Sequence, residues 1–213
     1  MTSVKGEPRR QRADLTRRRI VRAAHEEFLA NGYHGATIAA IARRADVATQ
    51  TVYFVFHTKA ALISAVIDTA VLGENEPTPP EATDWWHAIE VASSAPEALR
   101  HFVRGAAPIY QRAAGVSEVL RAAALADPEV HALWDHHDRL QVESFGRVVD
   151  IVMLKGLLRP GLDRGAATDV MLTVFGDSTY YLLTSERGWS HEQVVEWCSD
   201  ALPRLLLDAT SPD

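Results

Sequence analysis

The sequence predicts an all-α fold, an N-terminal three-helix unit joined to a larger helical body. Three observations lead there. Apolar residues recur at helical spacing through nearly the whole chain. Ser, Thr or Asp stands where most of these patterns begin, often with Gln, Glu or Pro just after. No segment makes a convincing strand; the one run of β-branched and aromatic residues, "TQTVYFVF" at 49–56, lies between two helical patterns.

Residues 1–13 are polar and basic and are expected to form a disordered arm. A first helix is predicted from about Leu15 to Asn31, with Ile20, Ala23, Ala24 and Phe28 on one face. Asn31-Gly32 suits its end, because both tolerate a left-handed backbone. Thr37 is a good N-cap for a short second helix whose Ile38, Ile41 and Ala42 share a face. Asp46 and Val47 form a turn, and the strand-like run follows. Thr58 caps a fourth helix carrying Leu62, Ala65, Val66 and Thr69 to about Gly73.

"ENEPTPPEAT" is the clearest break in composition, with three prolines and three acids in ten residues. Beyond it come a short helix, Trp85 to Ser93, and a longer one opened by a Ser94/Glu97 capping box, which Pro108 should kink or break. Gly115 to Ala126 reads as another. Asp127-Pro128-Glu129 opens a helix reaching Lys155. After the loop "GLLRPGLDRG", one helix spans about Ala166 to Glu186, and Ser190 with Gln193 caps a last one to about Asp208. We divide the chain into an arm at 1–13, a three-helix unit at 14–58 and a helical body at 59–213.

Charge is unevenly spread. Residues 1–60 carry 11 Lys+Arg against 5 Asp+Glu, and residues 61–213 carry 11 against 23. A basic end on an acidic body is the footprint of a polyanion-binding surface. The single cysteine, Cys198, excludes an internal disulfide framework and reads as a small core residue. No apolar run reaches membrane-span length, and the N-terminus lacks the apolar part of a secretory signal, so a cytoplasmic location is expected.

Two short helices joined by a tight turn after a longer helix form a helix-turn-helix. The run 49–56 is then the recognition helix, held helical by packing against its propensity, with Val52 and Phe56 facing inward. This leaves Thr49, Gln50, Thr51 and Val55 for base edges, and Thr37, Tyr53, His57 and Lys59 for phosphates. Lys59 sits at a helix start, where the macrodipole disfavours a cation unless an anion joins it.

"TIAAIARRADVATQTVYFVFHTKAALISAV" resembles the DNA-binding domain of the TetR family of transcriptional repressors. The resemblance rests on Thr37, Ile38, Ile41, Ala42, Val47, Thr51, Val52, Tyr53, Phe56, Lys59 and Leu62 and covers about residues 15–70. "RAAALADPEV", "LRPGLD" and "ERGWS" also resemble C-terminal domains of actinobacterial members. Three positions depart from the pattern. Asp46 stands where Gly is usual, Ala48 where Ser often caps the recognition helix, and Val55 where His or Tyr often helps contact DNA. Losing the Ser cap costs ~1 kcal/mol, and Val55 suggests an apolar contact such as a thymine methyl.

The resemblance implies a homodimer on a palindromic DNA operator, released by an unidentified small-molecule effector in the C-terminal body. The last two predicted helices are apolar on two faces, so each is buried on two sides. Leu172, Gly176, Thr179, Leu183, Val195, Leu202 and Leu206 are the expected dimer face. Trp134, His137, Gln141 and Phe145 share a stripe on the long helix and, with Trp86, Phe102, Tyr110 and Tyr180, are candidates to line an effector cavity. No cofactor, metal or catalytic residue is expected. The rival readings are a helical metal-dependent enzyme centred on "HALWDHHD", His131 to Asp138, and a ligand-binding protein of this fold without operator specificity. Consecutive histidines point to different faces, and no HExxH spacing occurs.

Overall fold

The computed structural model describes residues 7–74 and 77–208. Among the described residues ten α-helices follow one another: α1 (Glu7–Gly35), α2 (Ile38–Arg44), α3 (Thr49–Phe56), α4 (Lys59–Leu72), α5 (Asp84–Val91), α6 (Ala95–Ala124), α7 (Pro128–Lys155), α8 (Arg164–Phe175), α9 (Asp177–Tyr181) and α10 (His191–Leu206). A 3-10 turn (Pro80–Ala82) precedes α5, and a π turn (Leu182–Glu186) continues α9. Among the described residues the only β pairing is an isolated bridge, Leu158 to Leu207, which ties the α7–α8 loop to the end of α10.

Most helix starts follow the capping chemistry of the sequence. Thr37 Oγ1 accepts from the Ala40 N–H at 3.1 Å and Thr58 Oγ1 from Ala61 at 3.0 Å. Asp127 caps α7, and Ser190 and Gln193 complete a capping box on α10. Ser94 caps α6, but the Glu97 carboxylate turns to the Ser93 N–H and hydroxyl, so the box expected there is only half made.

Three expectations are corrected. The arm divides: residues 1–6 lie outside the described residues, and 7–13 are helical, extending α1 rather than forming a disordered segment. Pro108 neither breaks nor ends α6, which runs through it and absorbs the helix expected at 115–126. Its ring lies on an exposed face, where the carbonyl it displaces meets water. The helix expected at 166–186 is interrupted at Gly176, whose backbone is extended. The close approach of this turn to α8 requires glycine, since a Cβ there would lie 2.4 Å from the Leu172 carbonyl oxygen.

Two cores form. One joins α1–α4 to the ends of α6 and α7, with Ile20, Phe28, Ile41, Val52, Phe56, Leu62 and Leu120 buried together. The other fills the body around Leu99, Phe102, Val148, Met171, Phe175 and Leu202. Helix α6 is the shared pillar, packed against α1, α4, α5, α7, α9 and α10. Cys198 is buried in the body, with its thiol pushed up to about 12 by burial. No single helix among the described residues is long and apolar enough to cross a membrane.

Candidate functional site

Helix α3 is the element that sequence propensity reads as a strand. Ala48 offers it no side-chain cap. It is held instead from beneath by Val52 and Phe56, both buried in the first core. Asp46 takes a left-handed conformation (φ 51) in the turn before it. Arg19 fixes that turn, donating to the Ala45 carbonyl at 2.6 Å and to the Asp46 carboxylate at 3.1 Å. Arg17 lies 4.5 Å from the centre of the Phe56 ring. Arg44 binds Glu26 and Glu27 of α1. Several arginines of the basic N-terminal unit are therefore occupied in holding α1, α2 and α3 together, while Arg43 stays exposed.

With Val52 and Phe56 inward, a helix of about 100° per residue turns Gln50, Tyr53, Phe54 and His57 to the opposite side. All four are exposed, and Phe54 is 82% exposed. Phe54 was not among the predicted contacts; its spacing from Gln50 and His57 was the available signal. Thr49 and Thr51 flank this stripe, half-buried. Val55 departs from its expected role, because it packs partly buried against the first core. Thr37 is exposed at the start of α2. His57 ends α3 with φ 60, a left-handed backbone that turns the chain into α4. Lys59 begins α4 with its ammonium 4.6 Å from the Tyr33 ring centre. Burial pulls the Lys59 pKa below the usual lysine range. Burial, aided by Asp127 and Glu129, pushes the Tyr33 phenol up to about 12.

In the body, a cavity of about 310 Å³ lies between α4, α6 and α7. Of the predicted lining residues it brings together Phe102, Tyr110, Trp134, His137, Gln141 and Phe145. Two others are elsewhere. Trp86 is buried in the core, and its neighbour Trp85, pointing to another face, lines the cavity instead. Trp85 lies so close to α6 that a Cβ on Gly105 would meet its ring at 2.4 Å. Tyr180 faces a separate open groove, and its hydroxyl meets His191 Nδ1 at 2.8 Å.

Sequence reasoning missed Asp177, the residue after the Gly176 break. Its Oδ1 accepts from Gln141 Nε2 at 2.9 Å, inside the cavity lining. Burial raises its pKa above the usual carboxylate range, against the lowering effect of hydrogen bonds from Ser117 and Gln141. His137 Nε2 is buried with no hydrogen-bond partner. Burial lowers the His137 pKa, opposed by Asp68 and aided by His136, so the ring is neutral at pH 7.

The expected dimer face changes in part. Leu202 and Leu206 are buried in the protomer's own core, and Gly176 is buried as well. Leu172, Leu183 and Val195 pack half-buried against that core, and the Thr179 hydroxyl donates to the Thr173 carbonyl. The apolar side chains left outward are Leu182, Trp197 and Leu205. His131 and Asp135 form an exposed pair at 3.5 Å. Among the described residues no three His, Cys, Asp or Glu side chains converge as metal ligands.

Residues 20–66 match the family model for bacterial regulatory proteins of the tetR family. That segment spans α2 and α3, so the reading head is of the tetR-family type, and the similarities support a DNA-binding transcriptional regulator. The HTH-type transcriptional regulator UidR of Escherichia coli (strain K12) is 27% identical over 175 residues, covering 80% of this chain and 81% of the relative. Native NalD, the secondary repressor of the MexAB-OprM multidrug efflux pump in Pseudomonas aeruginosa, has the same fold. It is 19% identical with a TM-score of 0.68, over 92% of this chain and 99% of that one. The regulator FadR from Bacillus subtilis, solved with stearoyl-CoA, shares the fold at 18% identity and a TM-score of 0.65, over 86% of this chain and 96% of that one.

Proposed function

We propose that this chain is a homodimeric repressor of the TetR type that reads a palindromic operator with α3 and is released by an effector in the α4–α6–α7 cavity. The observation that carries the reading is the double use of α4. Its first turn holds Lys59 beside the recognition helix. Its last turns contribute Ile67, Asp68, Val71 and Leu72 to the cavity wall. Between them, Leu62, Ile63 and Val66 are buried in the core of the reading head. A helix held at both ends transmits a shift at one end to the other as a rigid body.

In this reading Thr37, Tyr53, His57 and Lys59 meet phosphates, and Gln50 and Phe54 meet base edges in the major groove, with Thr49 and Thr51 beside them. Phosphate contacts position the protein and base contacts specify the sequence. Two copies paired through Leu182, Trp197 and Leu205 would present their recognition helices to half-sites about one helical turn apart. An effector that binds the widely spaced form better shifts the population away from the DNA-bound form by its differential affinity, typically ~1–3 kcal/mol. Repression is supported by NalD, a repressor of the same fold, and an effector in the body by FadR, solved with a ligand.

The test is fluorescence anisotropy against labelled DNA from upstream of the protein's own gene, beside scrambled DNA, at two salt concentrations. Tight, salt-sensitive binding that prefers the upstream DNA is expected. Equal weak binding to both would favour a ligand-binding protein without that operator.

A further inference from the structure

The cavity is aromatic on its walls and acidic in its polar groups. Trp85, Phe102, Trp134 and Phe145 line it. Four carboxylates do too: Asp68, Glu81, Asp138 and Asp177. Among the described residues only one of them has a guanidinium beside it, since Arg147 binds Glu81 at 2.8 Å, and Arg147 is the only Lys or Arg described in the lining. Asp68 and Asp138 are exposed, so they stand where a ligand would enter. Asp177 is the innermost acid, and its partners are the neutral side chains Gln141 and Ser117.

An ionised carboxylate removed from water without a cation is costly, and neutral hydrogen bonds offset only part of that cost. His137 adds a second unmet need. It lies one turn before Gln141 on α7, on the same face. Its Nε2 is buried, without a partner, in the lining of the same cavity. A neutral imidazole nitrogen can accept a hydrogen bond. His137, Gln141 and Asp177 thus form a polar strip with no positive charge of its own and with acceptor capacity left at His137 Nε2 and the Asp177 carboxylate, facing aromatic walls that favour a cation over their rings.

We propose that the cavity takes an organic ammonium ion: a protonated amine whose N–H groups bind Asp177 and His137 and whose apolar, ring-bearing body lies among Trp85, Phe102, Trp134 and Phe145. This rests on the reading of the cavity as the effector site and names the ligand class. An anionic ligand would bring its charge against Asp177, with Arg147 already held by Glu81. A neutral ligand of the same shape would gain the aromatic contacts and leave the carboxylate unpaired, and sites built to bind a polar group reject analogues that lack it.

The experiment uses three probes of similar shape and different charge: phenethylamine, phenethyl alcohol and hydrocinnamate. Each is titrated into the full-length protein and followed by tryptophan fluorescence, which Trp85 and Trp134 report. Wild type should bind phenethylamine at least about tenfold tighter than the alcohol, a difference of ~1.4 kcal/mol, and bind hydrocinnamate weakest. Asp177→Asn should bind the amine and the alcohol alike. Its fold is checked by its affinity for DNA. Tighter binding of the alcohol or of hydrocinnamate would overturn the proposal. So would a preference for the amine that survives Asp177→Asn, or no saturation by any probe. The effector reading is judged separately, by adding each bound probe to the protein–DNA complex. An amine that binds as described without lowering DNA affinity would overturn the effector reading and leave the ligand class standing.

Discussion

The Lys59 ammonium lies 4.6 Å from the centre of the Tyr33 ring, at the junction of α3 and α4. The ring holds the cation at the edge of the reading head, and partial burial strips it of water, so a phosphate arriving there regains lost solvation. Lys59→Ala should weaken binding to upstream and scrambled DNA by similar factors. It should also reduce the salt slope by about one unit. Unchanged affinity and slope in anisotropy titrations would remove Lys59 from the phosphate contacts.

Gln50 and Phe54 stand one turn apart on the exposed side of α3. Gln50→Ala should relax base preference at one operator position by ~1–3 kcal/mol. Phe54→Ala should reduce discrimination between upstream and scrambled DNA while leaving binding to scrambled DNA nearly intact. Val55→Thr, changing a half-buried side chain, should lower Tm and leave base preference alone. A selection from randomised DNA checks all three. A changed base preference in Val55→Thr would contradict its assignment to packing.

How much of this was legible depends on how local the signal is. Thr37, Thr58, Asp127 and Ser190 cap backbone groups two or three residues away, so sequence alone located those helix starts. The inward pair Val52 and Phe56 likewise identified α3 despite its strand-like composition. What escaped was decided at long range. Pro108 is harmless only because its side of α6 faces water. In α10, two apolar faces were visible, and only the packing of α6 and α8 against it shows that Leu202 and Leu206 point inward. Asp177 drew no attention because its partner, Gln141, is on another helix.

That correction separates two kinds of variant. Trp197→Arg or Leu205→Arg should convert a dimer to a folded monomer in sedimentation velocity. Leu202→Ala should instead lower the stability of the fold by ~2–5 kcal/mol, because it empties a buried position. A fully dimeric Trp197→Arg protein would contradict the proposed face.

Asp177 makes a pH prediction. Its folded pKa is raised, so the folded state holds the proton more tightly than the unfolded state does. That contribution is complete below the ordinary carboxylate value of 3.8 and is lost as pH rises through the folded value. Wild type should therefore lose stability relative to Asp177→Asn as pH rises from the ordinary value toward neutrality. At pH 7 the variant should be the more stable of the two. Thermal melts of the two proteins across that range check it; parallel curves would mean that Asp177 stays ionised without cost.

Two copies of this chain are proposed to lay α3 into successive major grooves of one operator. Footprinting on the DNA upstream of its own gene is the decisive test. It should show two protected half-sites related by a dyad, with centres about one helical turn apart, both lost together in Lys59→Ala at raised salt. A single unpaired protected stretch, or uniform weak protection without boundaries, would contradict it.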